Sequence, residues 1–154
     1  MKQDIELSIK KCLKFLQIRQ KIHIYKFEEH KQIPDADSGV YVIAMDSGKK
    51  SEAVYVGKGD IKARQIRHAW KAYDRVPAGH AYPKGWQWLA ENVARVPENW
   101  TVYYVSLEKE TARSAMEGGL IHMLQPLAND ETFKDENREI SPVESSTYKA
   151  RKKA

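Results

Sequence analysis

The spacing of hydrophobic positions changes several times along this chain, and each change marks an element. Between residues 4 and 20, Ile5, Ile9, Cys12, Leu13 and Leu16 recur at helical intervals with lysines on the other faces. That pattern predicts an amphipathic helix. HIYKF at 23–27 is compatible with a short strand, and the polar KQIPDADS after it reads as a loop. GVYVIAM (39–45) and AVYVG (53–57) are rich in β-formers and flank the turn-forming DSGKKSE, which predicts an antiparallel hairpin. Residues 60–74 then switch to a helical period. Ala63, Ile66, Trp70 and Tyr73 fall on one stripe, and Arg64, His68 and Lys71 fall on nearly the opposite one.

PAGHAYPKG is a turn-rich connection, WQWLAENVARV (86–96) predicts a short helix, and WTVYYVSL (100–107) a further strand. Residues 109–124 predict a longer helix with Ala112, Met116, Leu120 and Met123 inward, ending before Pro126. Beyond Asn129 the chain turns acidic and then basic with little apolar content, leaving Phe133 and Tyr148 as its anchors. The expected fold is α+β: a small, mostly antiparallel three-stranded sheet flanked by helices, with an N-terminal helix and a polar C-terminal tail. The expected divisions are a basic helix and linker over 1–34, a central domain over 35–130 and a charged tail over 131–154.

Composition narrows the setting. No apolar run approaches the ~18 residues of a membrane span, and cations run through the first thirty residues. Cys12 is the single cysteine, so neither an internal disulfide nor a Cys-based zinc site is available. A cytoplasmic protein with no membrane partner is expected. The net charge of +5 is segregated: residues 1–31 carry eight Lys/Arg against four Asp/Glu, and residues 58–75 six against two, whereas 130–144 is acidic. Basic patches of this kind suit phosphate tracking, and solvated helix faces explain them equally well.

Candidate chemistry lies on the hairpin and the two helices that follow it. Cleaving a phosphodiester needs a group to orient or deprotonate water, a cation at the phosphate and a carboxylate for a divalent metal. Tyr41 and Tyr55, Arg64 and His68, and Glu117 supply these types. Taken singly, each has a plain structural explanation. Strand tyrosines are usually half-buried packing, Arg64 and His68 suit a helix face, and Arg113 four residues before Glu117 suits an ion pair.

Taken in order, the set resembles the GIY-YIG nuclease family. The matching elements are Gly39-Val40-Tyr41, Tyr55-Val56-Gly57 with Lys58 after it, Arg64-x-x-x-His68, Glu117 within AMEGGLIHML, and Asn129 closing QPLAN. The resemblance covers roughly residues 38–130. Both tripeptides carry Val in place of Ile. Thirteen residues separate the tyrosines, somewhat more than is usual in the family, and the excess falls in the turn-forming stretch. The stretch 75–99, with His80, receives no role from the resemblance.

What the resemblance implies is a divalent-metal-dependent endonuclease hydrolysing DNA with a single Mg²⁺ or Mn²⁺ held by Glu117. Arg64 would clamp the phosphate, and Asn129 would brace the site by hydrogen bonds. A tyrosine would activate the water, either Tyr55 with Lys58 or Tyr41 with His68. A phenol with an ordinary pKa near ~10 needs such a helper, and the shared helix face of Arg64 and His68 favours Tyr41 slightly. Lys62, Arg67 and Lys71 would contact DNA, and cutting both strands would call for a homodimer or two successive events. The competing reading is a non-catalytic module on the same fold that binds nucleic acid or a protein partner. Trp86, Trp88 and Trp100 are read as core in preference to base-stacking residues.

Overall fold

The computed structural model describes residues 4–47, 50–73, 85–87, 89 and 97–129. Its first element is α1 (Ile5–Phe15), opened by Asp4, whose carboxylate accepts the Leu7 N–H at 2.9 Å. The helix is shorter than the apolar pattern predicts. Gln17 adopts a left-handed conformation with φ of 57°, and the Ile18 N–H returns to the Leu13 carbonyl at 2.9 Å. That is a Schellman-type stop, built on Gln where Gly is usual. Four strands follow: β1 (His23–Lys26), β2 (Ser38–Ser47), β3 (Lys50–Asp60) and β4 (Trp100–Ser106). A 3₁₀ segment, Phe27–Gln32, separates β1 from β2. Two further helices, α2 (Ile61–Ala72) and α3 (Glu110–Leu124), complete the set.

All strand pairs are antiparallel and the order is β1-β4-β2-β3. The class is therefore α+β as expected, and the sheet has four strands where three were expected. The fourth is HIYK, too short for its periodicity to declare it a strand. The hairpin is also longer than expected, because DSGKKSE contributes rungs: Asp46 pairs with Ser51 in register, and the Ser51 hydroxyl donates to the Asp46 carboxylate.

Two apolar layers cover the sheet. On one face α1 and α3 pack over Val40, Val42, Ala44, Val56 and Val105. On the other lie α2, the 3₁₀ segment and the helical residues 85–87 and 89, over Tyr41, Ile43, Met45, Val54 and Tyr104. A β-bulge between Ile43 and Ala44 breaks the alternation of β3, so the consecutive residues Val54 and Tyr55 both join the α2 layer. Ile5, Ile9, Cys12 and Leu13 are buried against α3 and the sheet, so α1 forms part of the core and is no appendage.

Expectations change on both α2 and α3. The buried stripe of α2 is Ile61, Gln65, His68 and Ala72, whereas Ala63 is exposed and Ile66, Trp70 and Tyr73 are half-buried. His68 therefore faces the core and leaves Arg64 outside. On α3, Met116, Leu120 and Leu124 are the buried residues, and Met123 is 42% exposed, its sulfur 3.4 Å from Cys12 Sγ. Trp86 and Trp100 are core, as expected. His80, Trp88, most of the 86–96 helix and the 131–154 tail with Phe133 and Tyr148 lie outside the described residues. Among the described residues no helix is long and apolar enough to cross a membrane.

Candidate active site

The site begins with a close approach between β2 and β3. Tyr41 stands opposite Gly57 in the register, and its ring lies across that glycine. A methyl group at Gly57 would sit 2.3 Å from Tyr41 Oη and 2.6 Å from its Cζ. Because Gly57 has no side chain, the Tyr41 hydroxyl reaches across β3 to His68 on α2. Oη and Nε2 are 2.7 Å apart, and both residues are buried. Tyr55 closes the group, its ring centroid 6.2 Å from Tyr41 and 4.5 Å from His68. Trp86 stacks on His68 at 5.4 Å and 21° and also lies 6.1 Å from Tyr55, and the Lys71 ammonium lies 4.9 Å above Trp86 and 5.9 Å above Tyr55.

Helix α2 owes its placement to local sequence. Asp60 caps it by accepting the Ala63 N–H at 3.0 Å, and the Ile61 N–H bonds the Asp37 carbonyl at 2.8 Å. Gly59, at φ of 124°, provides the turn from β3 into the helix in a conformation that disfavours other residues. A methyl group there would lie 3.1 Å from Arg64 Nε, so the Arg64 side chain passes over this glycine.

Burial sets the protonation of the central pair. It raises the Tyr41 phenol well above its ordinary value, Tyr55 and Glu117 add to that, and Arg64 opposes it. Burial also lowers the His68 imidazole well below its ordinary value, with Lys71 and Arg64 acting the same way. The resting pair is thus neutral phenol and neutral imidazole. Arg64 on α2 and Glu117 on α3 thus bias the ionisation of Tyr41 in opposite directions.

Asn129 is a clamp on β3. Its amide accepts from Val56 N–H and donates to Val56 C=O, each at 2.8 Å, as a strand neighbour would. Leu127 and Ala128 N–H groups bond the carbonyls of Ala53 and Val54. Residues 127–129 therefore cover the outer edge of β3 along the segment that carries Tyr55 and Gly57.

Lys58 is placed differently from one of the two expected arrangements. It points to the α3 layer, where its ammonium binds the Glu110 carboxylate and the Ser114 hydroxyl, the latter at 2.7 Å. Arg113 joins the same carboxylate, and the Lys58 contact together with Arg113 holds Glu110 down to about 2. Tyr55 belongs to the α2 layer, so the fold does not bring Lys58 to it as a helper. Arg113, which the sequence spacing offers to Glu117, pairs with Glu110 at 2.9 Å. Of the expected DNA contacts, Arg67 is exposed on α2 and Lys62 pairs with Asp35 at 3.1 Å.

Gln65 was not expected at all. It is fully buried one turn before His68, and neither amide atom has a hydrogen-bond partner among the described residues; the same holds for His68 Nδ1 and the indole nitrogens of Trp86 and Trp100. The i, i+4, i+7, i+11 spacing of Ile61, Gln65, His68 and Ala72 was the available signal, masked by the polarity of its two middle members. Among the described residues, no group of three or more His, Cys, Asp or Glu side chains is placed to hold a metal ion. Comparison with protein-family models, with curated proteins and with solved structures finds no match for this chain.

Proposed function

We propose that this chain is a divalent-metal-dependent endonuclease that hydrolyses DNA at a GIY-YIG-like site, with Tyr41 rather than Tyr55 orienting the attacking water. One observation carries the reading: the Tyr41 hydroxyl rests on His68 Nε2 at 2.7 Å within a buried pair, and the Arg64 and Glu117 charges bias its ionisation in opposite directions. A buried phenol serving packing alone would have no use for an imidazole bonded to its oxygen.

The neutral His68 bonds Tyr41 in one of two ways. Nδ1 has no partner among the described residues, so a proton there would bury an orphaned N–H, whereas a proton on Nε2 leaves only a bare lone pair at Nδ1, the cheaper arrangement. His68 then donates to the Tyr41 oxygen, and the Tyr41 proton is free to point toward water or phosphate. Tyr41 keeps that proton and orients the attacking water by hydrogen bonding, while the His68 N–H and Arg64 offset negative charge that builds at its oxygen. Arg64 is exposed, and its long stem lets the planar fork grip a phosphate oxygen.

Glu117 is the carboxylate suited to Mg²⁺ or Mn²⁺, ions that keep several waters and can take a single protein oxygen. Bound there, the ion supplies positive charge to the phosphate and the leaving 3′ oxygen. The test is incubation of wild type, Glu117→Gln, Arg64→Ala and Tyr41→Phe with plasmid, linear and branched DNA in Mg²⁺ or Mn²⁺. Wild type is expected to cut, and the three variants to lose at least about 100-fold in rate while Glu117→Gln and Arg64→Ala keep the wild-type melting temperature. A wild type that cuts none of these substrates overturns the reading, and full activity in Glu117→Gln overturns the metal assignment.

A further inference from the structure

The candidate active site is one end of a row that crosses the whole sheet. His23 on β1 stands opposite Tyr104 on β4, Tyr104 opposite Tyr41 on β2, and Tyr41 opposite Gly57 on β3. Directly paired residues project from the same face, so all four belong to the α2 side. The His23 ring stacks on Tyr104 with centroids 4.7 Å apart and planes at 19°. Tyr25, next along the same side of β1, lies 6.1 Å from Tyr104 at 16°. Tyr104 is buried, while His23 and Tyr25 are half-buried.

A polar acceptor stands at the rim of these rings. The Tyr104 hydroxyl donates to Asp37 Oδ2 at 3.1 Å. The other carboxylate oxygen has no hydrogen-bond partner among the described residues, and Asp37 is half-exposed. The bond from Ile61 N–H to its carbonyl fixes Asp37 beside the start of α2, the helix of Arg64 and His68.

Parallel rings select a flat ligand, and a carboxylate at their edge selects one with N–H donors while repelling phosphate. A nucleobase has that shape. We propose that His23 and Tyr25, backed by the buried Tyr104 and edged by Asp37, form a stacking site for an unpaired nucleobase that carries an exocyclic amino group, beside the cleavage site. The nuclease role of the neighbouring residues rests on the function proposed above; the stacking site does not require it. Bases inside a duplex have both faces covered, so the occupant is a single-stranded or extruded nucleotide. Two strand spacings separate β1 from β2, which is ~10 Å or about three base steps at ~3.4 Å each. The site therefore favours substrates with an unpaired nucleotide close to the scissile bond. Asp37 adds discrimination, because cytosine offers an amino donor where thymine offers a carbonyl.

The experiment measures binding of short fluorescent single-stranded oligonucleotides, all dC or all dT, to the full chain in EDTA, where no cleavage occurs. Wild type is expected to prefer dC by about five-fold or more. His23→Ala should weaken both by at least about five-fold, His23→Phe should restore them, and Asp37→Asn should abolish the preference for dC. Equal binding of dC and dT by wild type overturns the role of Asp37. Wild-type affinity in His23→Ala, or no binding of either oligonucleotide by wild type, overturns the stacking site. Cleavage in Mg²⁺ by a protein that fails these binding tests leaves the nuclease reading standing, and binding without cleavage leaves the stacking site standing alone.

Discussion

Gly57→Ala is the sharpest perturbation this fold offers, because one methyl group collides with the residue on which the site depends. The added carbon would lie 2.3 Å from Tyr41 Oη, 2.6 Å from Tyr41 Cζ and 2.8 Å from Tyr55 Cε1. Neither ring is free to swing aside: Tyr41 is buried beneath α2, and Tyr55 is wedged against His68 and Trp86. Over-packing of a closed core costs about 1–3 kcal/mol. Driving Tyr41 away from His68 leaves buried polar atoms unpaired at a further cost of about 1–3 kcal/mol. Alanine recovers about 0.5–1 kcal/mol through its lower backbone entropy. The balance is a loss of roughly 2–4 kcal/mol, a fall in melting temperature of ~5–15 °C for a chain of this size. Thermal melts followed by circular dichroism measure it, with Gly118→Ala as the control. A methyl group on Gly118 would meet nothing within 4 Å, and the residue lies exposed on α3, so that substitution should stabilise by about 0.5–1 kcal/mol. Gly57→Ala in a Tyr41→Phe background should cost about 1 kcal/mol less, since the shortest contact is gone. If Gly57→Ala melts with the wild type, the Tyr41 hydroxyl does not cross Gly57 and the geometry of the site is wrong.

Asn129→Ala strips two buried hydrogen bonds from Val56 and should cost about 2–4 kcal/mol in urea unfolding, with faster hydrogen exchange at the Val56 amide; unchanged exchange there would refute the clamp. Stability should fall with acid through His68. The unfolded chain takes up a proton near ~6.5 while the buried imidazole does not, so stability is complete above that pH and drops ~1.4 kcal/mol per unit below it until the folded pKa is reached. Denaturant midpoints across pH 5–8 measure the slope, and a His68→Gln variant with the same slope would remove His68 as its source. Gln65→Met should raise the unfolding free energy by about 1–2 kcal/mol by replacing a buried amide that has no partner among the described residues with an apolar chain of similar length; a loss of stability would show that the amide has partners.

How far the fold was legible depended on whether one face of an element differed from the other. GVYVIAM alternates and declares β2 at once, whereas HIYK offers too few positions for a period and owes its strand to pairing with β4. On α2 the greasier stripe was the wrong one to trust. Trp70 and Tyr73 remain half-buried while Gln65 and His68 go inside, because His68 finds Tyr41 and the rings of Tyr55 and Trp86 there. Propensity measures water avoidance and has no access to such partners. The order of Tyr41, Tyr55, Arg64 and His68 was plain along the chain, and the choice of helper for each tyrosine was partly so. Tyr55 and Lys58 are three apart on a strand and therefore face opposite ways, provided no bulge intervenes; the bulge falls at Val54, just before them. The row from His23 to Gly57 was not legible, since it needs the register of three strand pairs at once.

The clamp on Val56 also has a meaning in time. Its two partners are 73 positions apart, and at ~5–20 residues per second a ribosome needs about 4–15 s to pass from one to the other. For that interval the strand bearing Tyr55 and Gly57 has an uncovered edge, and Glu117 arrives only shortly before Asn129 does. A half-made chain therefore holds the tyrosines without the residues that discipline them. Under the proposed function its chemistry is gated by synthesis itself: the carboxylate comes late, and the seating of residues 127–129 on β3 completes the strand that carries Tyr55 and Gly57.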